Sequence, residues 1–547
     1  MLFNSLAFIF IFFPATLTGF ALLNKLGSRS TKLWWIVLCS MVFYAVWVPI
    51  NLVIVLLSIM FNYIIAKRIQ KEMESDGERA ASILLALGVT ANLCLLGYFK
   101  YKNFFLENLN EIFQLNFPLA HIALPLGISF ITFQLIGFLM DIRSRAIEKI
   151  SLSEFFVFVF FFPQLIAGPI VHYREMMPQF SGIKLKLDGA DIAAGIALFS
   201  FGLFKKVVLA DGIAPYASVG FTAATQGEEV GFITAWVSAL AFTFQIYFDF
   251  SGYSDMALGL GRFFGITLPA NFNSPLKASS VIEFWNRWHM TLTRFLTDYI
   301  YNPTVLKLSR SRMKKGKPVM GRRRPELETF IILVSWPTMF VMIVSGFWHG
   351  SGFTYILWGV MHGVFLVINH AWRQWRPKWD SQLYDRVMSP LGFFITFTAI
   401  VLSMVMFRAG SVADAIVIYK GLVGINGVTI PIAVAGQLGP FEDILMSMGV
   451  TTDLSSGRYL IFSSLWIFAL FTVSIFLPNS LDIMRDFKPA QHFHAAKNQP
   501  KTLRHQLTVA KQSALTLSNS WALLVAALFV LGVIGLSQPS EFLYWQF

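Results

Sequence analysis

The chain has 547 residues, of which 56% are hydrophobic and 13% charged, with a formal net charge of +13 and a mean hydropathy of +0.62. Soluble domains carry about 25% charged residues, so this composition excludes a soluble enzyme, a disordered chain and a small disulfide-stapled secreted domain. Most of the positive excess is local: nine basic residues and no acid lie between Lys307 and Arg324, which points to a cytoplasmic loop against anionic lipid rather than to a nucleic-acid-binding face.

In chain order, the first apolar run, 2–23, has no basic residue before it and no small-residue cleavage site after it. It reads as a span, not a cleaved leader. Lys25, Arg29 and Lys32 follow it and place Met1 outside the cytoplasm. Further runs near the roughly 20 residues that a bilayer requires occur at 33–48, 50–66, 82–99, 122–140, 154–170, 190–209, 230–248, 329–348, 353–370, 387–407, 457–477 and 519–537. The expected fold is all-α and polytopic, a single membrane domain over 1–547 with eleven to thirteen spanning or re-entrant helices. Pro163, Gly168 and Pro169 should break the run at 154–170. Broken backbone at membrane depth survives only where protein or a wet cavity covers it. Cys39 and Cys94 form no CxxC pair and read as small buried hydrophobes. The pair Lys205 and Lys206, at the end of a run, reads as an interfacial anchor.

Ionisable groups inside a bilayer are costly and mark functional sites by default. Three clusters qualify. The first is Gln245, Asp249, Tyr253 and Asp255 in 245–255 (QIYFDFSGYSD). Gln245 and Asp249 share a helix face, Ser251 and Gly252 permit a break, and Asp255 reads as a cap on a helix starting near Ser254. The second is 283–298 (EFWNRWHMTLTRFLTD). Read as one helix, it places Glu283, Arg287, Arg294 and Asp298 on one stripe and His289 on the apolar side with Trp285. The third is the turn Trp348-His349-Gly350-Ser351-Gly352. The basic loops 307–324 and 373–378 flank two spans, which puts His349 away from the cytoplasm. Histidine is the side chain best suited to taking and returning a proton near neutral pH. HExxH, GxSxG and Walker A words are absent, and His121, His172, His362 and His370 lack metal-ligand spacing.

The words LPLGISFITFQ, FFPQLIAGPIVHYREMMPQF, YFDFSGYSDMALGLGRFFGITLPANFNSP, EFWNRWHMTLTRFLTDYIYNP, SGFWHGSGFTYILWGVMHG, FRAGSVADA and YKGLVGINGV occur in this order along the chain. Together they resemble the membrane-bound O-acyltransferases, most closely the alginate O-acetyltransferase type of bacterial envelopes, with core motifs over about 122–410 and C-terminal helices over 457–547. The basic insertion after NP departs from that pattern. The resemblance implies a ring of helices around a central funnel or tunnel in the bacterial inner membrane. It makes His349 and His289 the catalytic pair. Gln245, Asp249, Tyr253, Trp285, Trp348 and Ser351 become candidates for lining the substrate path. The expected donor is acetyl-CoA or another acyl thioester, with no permanently bound cofactor and no metal. The expected acceptor is a polysaccharide hydroxyl outside the membrane, reached directly or through a periplasmic partner protein. Backbone N–H groups over Gly350 to Gly352 are candidate oxyanion donors, and His289 a group to position the thioester or polarise the carbonyl. The terminal EFLYWQF resembles an aromatic motif of such systems, with Tyr544 as an acyl relay. A transporter or flippase is the alternative of a different class, and acylation of peptidoglycan, teichoic acid or lipid the alternative within enzymes.

Overall fold

A computed structural model of the chain describes residues 1–119, 123–181, 188–321, 324–377, 380–453, 456–493, 518–537 and 543. Among these, nine helices are long and apolar enough to cross a bilayer: Phe8–Lys25, Pro49–Glu74, Glu78–Phe113, Gly189–Thr225, Phe232–Phe263, Leu327–His349, Phe353–Trp375, Gln382–Arg408 and Gly457–Phe476. Asn519–Gly535 is a shorter apolar helix. The chain is thus a multi-pass membrane protein. A two-stranded parallel pairing of Val428–Pro431 with Val450–Asp453 is its one named sheet among the described residues.

The expected span 33–48 lies in the 17-residue helix Arg29–Ala45, and two more expected spans take other forms. In the run at 122–140 the helix is Ile128–Arg143, 16 residues long and buried on nearly every side. A helix apolar all round belongs inside protein as readily as in lipid. The run at 154–170 breaks as its prolines and glycine predict, into Leu152–Phe160, Phe162–Leu165 and, after an extended stretch, Tyr173–Ser181. The polar groups freed by the break are satisfied by protein, as a dry interior demands. Gln134 and Gln164 both donate to the Phe158 carbonyl at 2.6 and 2.7 Å. Phe162 N–H donates to Ser40 Oγ and Ile170 N–H to Thr291 Oγ1.

The central element is Phe232–Phe263, 32 residues of unbroken helix, about 48 Å long at 1.5 Å per residue. The break expected at Ser251 and Gly252 does not occur. Gly252 serves a helix contact instead: a methyl there would lie 2.7 Å from the Gly202 carbonyl oxygen, and one on Gly202 would lie 2.4 Å from that of Gly252. Small residues let two membrane helices approach to backbone contact.

That contact corrects two further readings. Lys205 and Lys206 are not interfacial anchors. Lys206 is buried, with its ammonium 2.6 Å from Asp249 and 2.7 Å from Asp211. Asp255 is not a helix cap either: it binds Lys205 Nζ and Ser480 Oγ, both at 2.6 Å. Carboxylates and ammonium groups this deep must pair, and Gly202 and Gly252 bring the two helices close enough for them to do so. Cys39 is buried but Cys94 is exposed. The basic stretch expected as a loop is helical over Asn302–Lys314 and folds back on the next helix, where Arg312 and Lys317 share the carboxylate of Glu328 at 3.0 and 3.1 Å.

Candidate active site

The stretch 283–298 is not one helix. Val281–Trp285 ends, a turn follows, and Met290–Leu296 begins after His289, which adopts the left-handed conformation at φ 44°. This region costs a non-glycine residue about 1–3 kcal/mol and persists where surrounding bonds impose it. Those bonds come from the segment around Asn271. Met290 N–H donates to the Asn271 carbonyl at 2.9 Å and Asn273 N–H to that of Arg287 at 2.9 Å. The charged stripe therefore divides. Glu283 and Arg287 pair with each other at 2.7 Å, whereas Arg294 pairs with Glu175 and Asp298 lies 4.0 Å from Arg174.

The Asn271 side chain determines the protonation pattern of His289. Its Oδ1 receives the Thr291 N–H at 3.4 Å and the Thr291 hydroxyl at 2.9 Å, and lies 3.0 Å from His289 Nδ1. A backbone N–H can only donate and an amide oxygen can only accept. His289 Nδ1 therefore carries the hydrogen, and a neutral ring presents Nε2 as a lone pair. That Nε2 is buried and has no hydrogen-bond partner among the described residues.

His349 ends the helix Trp336–His349. The last carbonyls of a helix have no partner within it, and a cation is favoured there. Lys100 supplies one: its Nζ donates to the Trp348 and His349 carbonyls at 2.7 and 2.9 Å, while Tyr101 Oη donates to that of Phe347 at 2.6 Å. The following helix packs tightly on this one. A methyl on Gly346 would lie 2.3 Å from the Tyr355 carbonyl oxygen, and one on Gly359 2.4 Å from that of Met342.

The two histidine rings meet with centroids 6.4 Å apart. Around His349 stand Trp348 at 5.0 Å, Trp358 at 5.0 Å and Phe407 at 5.4 Å. Phe250 of the central helix covers His289 at 4.8 Å. A third histidine joins the cluster. His362 packs 4.6 Å from Trp358, and its Nδ1 accepts the Trp285 indole N–H at 3.2 Å. His289 and His362 are 0% exposed, whereas His349 is 5% exposed. The slight remaining access among the three therefore belongs to His349.

Of the residues singled out from sequence, His289, His349, Trp285 and Trp348 are brought together. Trp348 also gives its indole N–H to the Ser129 carbonyl at 3.4 Å. Gln245 and Asp249 are buried on the central helix, but Asp249 is turned about 100° from Phe250 and faces Lys206. Tyr253 stacks on Phe3 at 4.7 Å. Ser351 is exposed at the hairpin turn. Tyr544 lies outside the described residues, as does His121. Asn271, Lys100, Trp358 and His362 were not singled out. His362 stands four residues after Trp358 in a span, an intramembrane histidine on a tryptophan face that a search for metal spacing passes over.

The membrane-bound O-acyltransferase family model matches residues 26–317. A peptidoglycan O-acetyltransferase from Helicobacter pylori is 42% identical over 458 residues, covering 79% of this chain and 81% of that protein. The chain belongs to the membrane-bound O-acyltransferase family. A probable alginate O-acetylase from Pseudomonas aeruginosa is 38% identical, covering 77% and 75% of the two chains. A teichoic acid D-alanyltransferase from Streptococcus thermophilus is 30% identical over 52% of this chain and 68% of its own length. This membrane-bound O-acyltransferase is therefore an enzyme that moves an acyl group onto oxygen. The family match contains Asn271 and His289 and ends before His349.

Proposed function

We propose that this enzyme takes an acetyl group from acetyl-CoA at the cytoplasmic side of the bacterial inner membrane. It delivers that group to a polysaccharide hydroxyl on the other side, directly or through a periplasmic partner protein. The observation that carries the reading is His349: a buried imidazole with slight access, held by Lys100 at a helix end, against His289 whose hydrogen is fixed by Asn271. His349 takes the proton of the acceptor hydroxyl as that oxygen attacks the thioester carbonyl. It then returns the proton to the departing thiolate, so that no net charge remains in the apolar site. General-base assistance of this kind contributes about 10²–10⁴-fold. Of the two parts expected of His289, its nitrogens suit positioning a substrate rather than polarising the carbonyl. A neutral ring whose free nitrogen is a lone pair cannot polarise a carbonyl; it receives an O–H or N–H of a substrate and orients it.

The relatives named for acetyl transfer onto peptidoglycan and alginate support acetyl over D-alanyl as the group moved, because they match more of the chain at higher identity. Peptidoglycan is the acceptor favoured by the 42% identity.

The test is the O-acetyl content of peptidoglycan and of secreted polysaccharide in cells with wild type, His349→Ala or no protein, at matched membrane abundance. The expected result is that one glycan loses acetyl groups equally in the last two. Unchanged acetylation in both would remove the acetyl-transfer reading.

A further inference from the structure

Trp358 is buried, yet its indole N–H has no acceptor among the described residues. Four other tryptophans donate theirs within the protein: Trp35 to the Thr16 carbonyl, Trp236 to that of Leu422, Trp285 to His362 and Trp348 to Ser129. A buried indole N–H normally finds a partner, and one that does not requires an explanation. The orphan is not isolated. Ser345 Oγ, one turn before His349, and His349 Nδ1 are also buried without partners among the described residues. Three unpartnered polar atoms thus lie on one helical hairpin, around the 5.0 Å contact between the His349 and Trp358 rings.

An indole N–H can only donate, so what it awaits is an acceptor. It is also held in place. Gly359, the next residue, is locked against the preceding helix by the contact to Met342. The His362 ring packs on the indole and is itself fixed by the Trp285 N–H. A fixed donor in a dry site next to a general base meets the requirements for holding developing negative charge. In the turn at Gly350 to Gly352, the candidate on sequence, Gly350 is buried and Ser351 exposed, so water would weaken a donor at Ser351.

We infer that the Trp358 indole N–H is the hydrogen-bond donor to the acyl carbonyl oxygen. This rests on the acyl-transfer reading at His349. The acceptor oxygen forms a bond to the carbonyl carbon and its proton passes to His349. The carbonyl electron pair moves onto oxygen, which Trp358 stabilises. The pair then returns, the carbon–sulfur bond breaks, and the thiolate takes the proton from His349.

The test uses full-length protein in native membranes carrying their own envelope glycan, with radiolabelled acetyl-CoA as the probe and label in the glycan as the readout. The variants are Trp358→Phe, His349→Ala, and a protein with 3-benzothienylalanine at 358, which keeps the bicyclic shape and replaces N–H by sulfur. Loss of one oxyanion donor lowers kcat about 10²–10³-fold, and this is expected for both Trp358 replacements, with KM for acetyl-CoA little changed. Should Trp358→Phe fail to accumulate in the membrane, the benzothienyl protein decides. If that protein retains kcat within about threefold of wild type, or only its KM rises, while His349→Ala is inactive, the assignment of Trp358 falls and the acyl-transfer reading stands. If His349→Ala labels the glycan as wild type does, both fall together.

Discussion

Asn271 holds His289 through a single oxygen that also receives both the backbone and the side-chain hydrogen of Thr291. This three-way bond joins the left-handed turn at His289 to the broken stretch at 161–172, because Thr291 Oγ1 in turn accepts the Ile170 N–H. Two irregular backbone segments thus support one imidazole, and the orientation of its two nitrogens follows from their partners.

Replacing Asn271 tests that orientation. Asn271→Leu removes the acceptor, frees the ring to rotate or change tautomer, and is expected to lower kcat by about 10–100-fold, the usual effect of losing a histidine's orienting partner. Asn271→Asp keeps an oxygen at the same place and should retain more activity than the leucine variant. Radiolabelled acetyl transfer in membranes at matched protein level gives the comparison. Equal losses in the two variants would show that the Nδ1 bond does not matter.

Much of this arrangement is legible in the sequence, in proportion to how local its causes are. Long apolar runs announce spans because length and hydropathy are properties of a single segment. The break near Pro163 and the glycine-flanked turn at His349 are likewise written into neighbouring residues. The left-handed turn at His289 is not, because its cause is Asn271, and a periodic reading of 283–298 assumes the helix it should test. Gly252 looks like a helix breaker, yet it is a contact point for Gly202 on another helix. Lys206 looks like an interfacial lysine until Asp249, far along the chain, is placed beside it. His362 gains meaning only from Trp285, 77 residues earlier.

Lys100 neutralises the end of the helix that presents His349. Lys100→Met leaves the Trp348 and His349 carbonyls without a donor in a dry interior, at a cost of about 1–3 kcal/mol per unsatisfied group. Thermal unfolding in detergent should move to lower temperature, and kcat should fall as the helix end frays around His349. Lys100→Arg keeps the charge and should recover part of both. A methionine variant with unaltered kcat would mean that the position of His349 does not depend on this cation.

The tight contact between the two helices of the His349 hairpin makes a further prediction. Gly346→Ala and Gly359→Ala each place a methyl against backbone oxygen, at 2.3 and 2.4 Å, and backbone yields less readily than a side chain. Each should destabilise by about 1–3 kcal/mol, the range for overpacking a well-filled interior, and reduce acetyl transfer by separating Trp358 from His349. Gly189→Ala is the control, since nothing lies within 4 Å of its methyl. A melting temperature for Gly359→Ala equal to that of this control would contradict the packing.

The buried Lys206 pairs with two carboxylates, and this sets an order among its variants. Lys206→Met leaves Asp211 and Asp249 facing each other with no cation between them. Loss of one partner from a buried ion pair costs about 3–5 kcal/mol, so this variant should accumulate poorly and unfold at the lowest temperature. Asp249→Asn should be milder, because Lys206 retains Asp211 at 2.7 Å. Combining Lys206→Met with Asp211→Asn and Asp249→Asn removes every charge and should restore part of the stability. The ordering assigns Asp249 to holding two helices together, not to the chemistry at His349. Asp249→Asn protein with normal thermal stability and no acetyl transfer would reverse that assignment and return Asp249 to the substrate path.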